Sequence, residues 1–238
     1  MDIYNALKLN LNNREVISFV GGGGKTTTIF KLGKELRKLD KKVLITTTTK
    51  IYEPKENYDY YFLGNITEDF RPTNGSITII GEKIEGEKLI GLSLEKLDKL
   101  IEAEIFDYIL IEADGAKKLP IKAMGEDEPI VSKYSTKTIG IIGIDALDKE
   151  IANIVHRPEL FTKIVEKKLN EKVKEEDIVR LILYSEGLFK NARGEKIFLL
   201  NKVEEKDIFR AEKIRAELQK ENFQGEIILA NIMENKFY

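Results

Sequence analysis

VISFVGGGGKTTT, residues Val16 to Thr28, joins a short apolar run to four glycines, a lysine and three threonines. Val16 to Val20 is β-branched and apolar enough for a buried strand, and from Thr26 onward Ile29, Leu32, Leu36 and Leu39 recur at helical spacing. Gly21, Gly22, Gly23 and Gly24 therefore fall between strand and helix. Without a Cβ the backbone can turn tightly there and bring successive N–H groups close to a phosphate. The helix start adds unpaired N–H groups and the positive end of its dipole. On this reading Lys25 reaches the β- and γ-phosphates of a nucleotide and the hydroxyl of Thr26 ligates Mg²⁺, with Thr27 in the same nucleotide-binding set. The long form of this loop asks for a glycine six positions before the lysine, where Phe19 stands. The shorter form, Gly21-x-x-Gly24-Lys25-Thr26-Thr27, fits. The competing reading is a glycine-rich turn with a surface lysine.

The rest of the composition narrows the chemistry. Lysine and arginine number 39 against 41 aspartates and glutamates, a formal net charge of −2, so no overall basic field draws the protein to nucleic acid or an anionic membrane. Cysteine is absent and histidine occurs once, at His156. That excludes disulfides, thiolate metal sites and a cysteine nucleophile, and leaves Mg²⁺ held by hydroxyl, carboxylate and phosphate oxygens as the natural metal. No apolar run approaches the roughly 20 residues of a membrane span, and MDIYNALKLNLNN has neither basic leader nor apolar core, so a cytoplasmic location is expected. The length suits one main α/β domain spanning 1–238, with a β-rich stretch at 58–91 read as a small hairpin insertion.

Further along the chain, Val43 to Thr49 reads as a second buried strand ending in four threonines. Threonine suits a strand because it is β-branched. Ligands also bind outside the carboxyl ends of parallel strands, so Thr49 and Lys50 could face Mg²⁺ or the γ-phosphate. Ser93 sits at a helix N-cap position. The strand Asp107 to Glu112 then runs into Ala113-Asp114-Gly115. A hydrophobic strand ending in carboxylates is where phosphate-loop proteins hold Mg²⁺ and its waters, and Glu112 and Asp114, two apart, share a face. Lys117, Lys118 and Lys122 follow, either on a solvated loop or on one whose lysines meet an anionic substrate or the nucleotide phosphates. Thr138 to Ile144 is another buried strand. His156-Arg157-Pro158-Glu159 opens a helix; Arg157 is the candidate for stabilising charge on the γ-phosphate, and His156 reads as a structural residue. A helix is expected around Glu175 to Phe189. The strand Lys196 to Leu200 leads into Asn201-Lys202-Val203-Glu204 and a helix through Leu218. Strand, Asn-Lys-x-acid, helix is the context in which guanine-nucleotide proteins read the base, although the usual acid is Asp and here it is Glu204. Glu226 to Ala230 completes the sheet.

With these segments in view, the sequence resembles the YqeC family, described as accessory proteins of selenium-dependent molybdenum hydroxylases. VISFVGGGGKTTT, VLITTTTKIYEP, ILIEADGAKKLPIKA, the EP of GEDEP, VHRPE and LLNK carry the likeness, in that order, from about Val16 to Asn201. The resemblance implies a P-loop NTPase-like fold with a mainly parallel sheet and a role in maturing a molybdenum hydroxylase or its cofactor, and the loop and strand-end residues point to binding and hydrolysis of ATP or GTP with Mg²⁺. The short glycine loop also looks like that of Mur-type ligases, so an ATP-dependent ligase activating a carboxylate is one alternative. A module switched by nucleotide without turnover is the other.

Overall fold

The computed structural model describes all 238 residues. In chain order the elements are α1 (Ile3–Ala6), β1 (Glu15–Gly21), α2 (Lys25–Lys38), β2 (Lys42–Thr47), β3 (Lys50–Tyr52), β4 (Tyr60–Leu63), β5 (Ser76–Gly81), β6 (Lys83–Glu85) and β7 (Lys88–Ile90). There follow α3 (Leu94–Glu102), β8 (Tyr108–Glu112), β9 (Ile121–Lys122), β10 (Lys137–Gly143), α4 (Ile151–Ile154), β11 (Val155–His156), α5 (Pro158–Val165), α6 (Glu175–Leu183), β12 (Glu195–Asn201), α7 (Ile208–Lys220), β13 (Glu226–Asn231) and β14 (Lys236–Phe237).

Nine strands make one sheet in the order β14-β13-β12-β10-β1-β8-β2-β5-β4. Only β14 runs antiparallel to its neighbour. All seven residues of β1 are buried, as a central parallel strand covered on both faces requires. Alternate side chains of β1 feed two cores. Val16 and Val20 join Leu97 of α3, Phe161 of α5, Leu181 of α6 and Ile214 of α7 on one face. Ile17 and Phe19 join Ile3 of α1 and Ile29, Leu32 and Leu36 of α2 on the other. The result is the three-layer α/β sandwich with a mainly parallel sheet that the sequence implies.

The 58–91 stretch is not built as one insertion. Its strands β4 and β5 extend the main sheet in parallel, because Ser76–Gly81 is buried along its whole length and pairs with β2. Only β6 and β7 form a hairpin, which joins β3 in a separate three-stranded sheet. The helix expected to run to Phe189 stops at Leu183; Tyr184 turns extended, and the Gly187 and Leu188 N–H groups return to carbonyls of Tyr184 and Leu181.

Strand order turns the molecule around at β1. The chain leaves β1 through α2 toward β2 on one side, and later fills the other side with β10, β12 and β13. Such a switch point opens a crevice above the carboxyl ends of the strands. The glycine loop lies there.

Candidate functional site

Each of the four glycines is pressed against a neighbouring wall. A Cβ on Gly23 would sit 2.2 Å from the Gly143 nitrogen, with φ at +68°, and one on Gly24, at φ +122°, would meet Asn201 Nδ2 at 2.6 Å. Any side chain at these positions collides, so glycine is a packing requirement. The loop's N–H groups are divided. Those of Gly21, Gly22 and Gly23 donate inward, to Asp114 Oδ2 (3.0 Å), Ile141 O (2.8 Å) and Leu119 O (3.0 Å). The first N–H to find a carbonyl in the new helix is that of Thr28, bonded to Gly24 O, which leaves those of Gly24, Thr26 and Thr27 for another acceptor. The unbonded donors are thus one step further along the chain than a glycine-only reading expects.

Strand register delivers the carboxylates. Glu112, the last residue of β8, lies opposite Phe19 of β1 and Thr47 of β2, directly beside the loop. Its Oε2 accepts a 2.7 Å hydrogen bond from Thr26 Oγ1. Lys25 is buried; its Nζ donates to Gly21 O and lies 2.9 Å from Asp114 Oδ1 and 3.9 Å from Glu112 Oε1. Burial pushes the Glu112 carboxyl above its usual range, against the opposing pull of Lys25 and of the Thr26 hydroxyl.

A second layer lies behind these groups. Lys122, expected beside its loop neighbours, is fully buried on the two-stranded β9–β11 sheet. Its Nζ is 2.6 Å from Glu128 Oε2 and 3.5 Å from Asp114 Oδ2, in ion-pair contact but off hydrogen-bond alignment. Arg157 also donates to Glu128. Burial raises the Glu128 carboxyl, but the hydrogen bond from Arg157 and the adjacent charge of Lys122 outweigh it and hold the group low. Burial, and then the charges of Lys122 and Arg157 nearby, lower the pKa of His156. Sequence reading weighed Lys122 only as one of three loop lysines and gave Glu128 no role. The signal available for Lys122 was its place between Ile121 and Ala123, both fully buried.

These groups open onto a cleft of about 1270 Å³. Its lining brings together Gly22, Gly23, Gly24, Lys25, Thr26, Thr27, Thr49, Glu112, Arg157 and Lys202 from the sequence-based set. Gly21 and Asp114 lie just beneath, joined by the Gly21 N–H bond. Of the four threonines, Thr46, Thr47 and Thr48 donate to backbone carbonyls of Ile80, Glu112 and Ile130, and only Thr49 lines the cleft. Seven cationic side chains and three carboxylates line it, a balance suited to a polyanion.

The Asn201–Glu204 corner departs from the base-reading expectation. Asn201 Nδ2 donates to Gly23 O (2.8 Å), and its Oδ1 accepts from Ile232 N (3.0 Å) and Lys202 N (2.8 Å), so its amide braces the glycine loop. Lys202 faces the cleft with its Nζ on Asp145 Oδ2 at 2.8 Å. Glu204 is outside the lining: its carboxylate pairs with Lys206 at 2.7 Å, at the start of the turn that leads into α7. One extra methylene and a partner two residues on turn it toward solvent.

Comparison with known proteins gives three findings. The family described as YqeC protein matches residues 17–159. YqeC of Escherichia coli (strain K12) is 33% identical over 180 residues, covering 74% of this chain and 70% of that protein. A chain of the MinC:MinD cell division protein complex of Aquifex aeolicus superposes on 91% of this chain and 81% of its own, at 16% identity and a TM-score of 0.49. No helix is long and apolar enough to cross a membrane.

Proposed function

The chain belongs to the YqeC family, and from that premise we propose that its cleft binds and hydrolyses a nucleoside triphosphate with Mg²⁺. The observation that carries the reading is the loop itself: free N–H groups at Gly24, Thr26 and Thr27, a buried Lys25 beside them, and the Thr26 hydroxyl against the Glu112 carboxylate. Backbone donors at a helix start and an adjacent ammonium are the groups that cradle phosphates.

A hydroxyl and a carboxylate 2.7 Å apart fit a hard divalent ion that takes its remaining ligands from phosphate and water. Thr26 and Glu112 would hold Mg²⁺, with Thr49 and Asp114 close by; when bound, the ion neutralises charge on the β- and γ-phosphates. Lys25 adds its charge to the same phosphates, and Arg157, lining the cleft, serves charge that develops on the γ-phosphate. Turnover then supports maturation of a selenium-dependent molybdenum hydroxylase, the partner that the family resemblance implies. The Glu204 carboxylate outside the cleft lining and the amide of Asn201 spent on the loop favour weak discrimination between ATP and GTP.

Calorimetric titration with Mg·ATP and Mg·GTP, run in parallel on Lys25→Ala, tests the assignment. The reading expects binding by the parent chain and a loss of at least about a hundredfold in the variant, about 2.7 kcal/mol. Equal binding by both proteins, or by neither, overturns it.

A further inference from the structure

The small sheet β3-β7-β6 lies outside the main sheet, yet it supplies Lys50, Tyr52 and Lys88 to the cleft. Its lysines are treated unequally. Lys50 and Lys83 share Glu85, at 3.1 and 2.8 Å, whereas Lys88 has no carboxylate within ion-pair range and its Nζ sits 3.0 Å from the centre of the Tyr52 ring. Lys118 comes to the same ring from the 113–119 loop, at 4.2 Å. It too lacks a carboxylate partner, as does its neighbour Lys117. Two ammonium groups gathered on one ring repel each other, and the ring's attraction of about 0.5–1 kcal/mol at an exposed site is comparable to that repulsion but supplies no net counter-charge.

The loop that carries Lys117 and Lys118 is anchored to the glycine loop. Leu119 O accepts from Gly23 N at 3.0 Å. Both lysines hold left-handed backbone, φ 49° and 64°, a costly conformation for two successive non-glycine residues, and one that clusters at functional sites. The cleft, at 1270 Å³, exceeds the range up to about 1,000 Å³ usual for one small ligand.

We propose that Lys88, Lys117 and Lys118 form a second anion subsite in this cleft, for a phosphorylated small molecule bound together with the nucleotide. Tyr52 holds two of the three ammonium groups in place, and the ligand's phosphate supplies the counter-charge that the protein omits. The inference rests on the nucleotide reading, since it gives the cleft a second occupant.

The test is calorimetric titration of inorganic pyrophosphate into the full chain saturated with a non-hydrolysable Mg·ATP analogue. The same titration is run on Lys117→Ser/Lys118→Ser, on Lys88→Ser and on Lys25→Ala, with thermal melts checking that each folds. The expected result is one further equivalent of pyrophosphate, with an affinity loss in the lysine variants at least about tenfold larger than any loss in nucleotide affinity. If the nucleotide binds and pyrophosphate adds nothing, or both affinities fall in parallel, the second subsite is wrong while the nucleotide reading stands. If no nucleotide binds but pyrophosphate still depends on Lys117 and Lys118 and not on Lys25, the subsite stands and the nucleotide reading falls.

Discussion

At the glycine-loop end of the cleft the charges are sealed in: the side chains of Lys25, Asp114 and Lys122 are 3%, 0% and 0% exposed. At the Asn201–Glu204 end they stand in water, with Lys202 and Asp145 each 42% exposed and Glu204 56%. Charge in a low-dielectric pocket acts strongly on its neighbours and is screened little by salt, whereas exposed pairs contribute little. The first end is therefore built to meet a defined arrangement of charge, and the second leaves the ligand largely to solvent. The difference teaches that this cleft should recognise phosphates far better than a base.

The largest effect that could break this contrast is at Asp114. Asp114→Ala leaves Lys25 and Lys122 facing each other across a buried gap and frees the Gly21 N–H, and should cost about 3–5 kcal/mol in urea denaturation. A cost under about 1 kcal/mol would mean that water reaches the network and that the two ends are alike. Next comes Asn201→Ala, which removes the bonds to Gly23 O and Ile232 N; a loss of about 1–3 kcal/mol is expected, accompanied by weaker nucleotide binding because the loop loses its brace. If stability falls without any change in affinity, Asn201 belongs to the sheet and not to the site.

Much of the phosphate end is legible in the sequence because its signals are local. Glycines, Lys25 and Thr26 are consecutive, and the Glu112 and Asp114 pair ends an apolar strand, so periodicity alone puts them at the same edge of a sheet. Lys122 and Glu128 escape that logic. Lys122 is buried by the two-stranded β9–β11 pairing, which joins residues more than thirty positions apart, and half-buried Glu128 meets it from the loop beyond β9. Glu204 is the opposite case: its local pattern is suggestive, while its carboxylate pairs with Lys206, two residues on, outside the cleft lining. The role of β4 and β5 was equally hidden, since a short apolar strand reads the same in a hairpin as in a parallel sheet.

A smaller effect sharpens the exposed side of the comparison. Asp148 is held at about 2, down from 3.8, by hydrogen bonds from Lys174 and Arg210. A lowered carboxyl stabilises fully above its unfolded value and loses that contribution as pH falls through the folded one. The loss should therefore run from near pH 4 down to about 2. Because Asp148 is 46% exposed, solvent screening keeps the contribution under about 1 kcal/mol. Urea titrations of Asp148→Asn against the parent should show a small deficit at pH 7 that vanishes at pH 2 and shrinks in high salt; a pH-independent deficit would assign the effect to packing. Smallest of all is Glu204→Ala, expected to change ATP and GTP affinity by no more than about twofold; selective loss of GTP binding would return Glu204 to the base-reading role.

The most direct test of the central claim is a calorimetric series with the Mg²⁺ complexes of ATP, GTP and AMP and of inorganic tripolyphosphate. The account predicts that ATP and GTP bind within about fivefold of each other, that tripolyphosphate retains most of their binding free energy, and that AMP binds at least about a hundredfold more weakly. A hundredfold preference for one base, or AMP binding on a par with ATP, would contradict it.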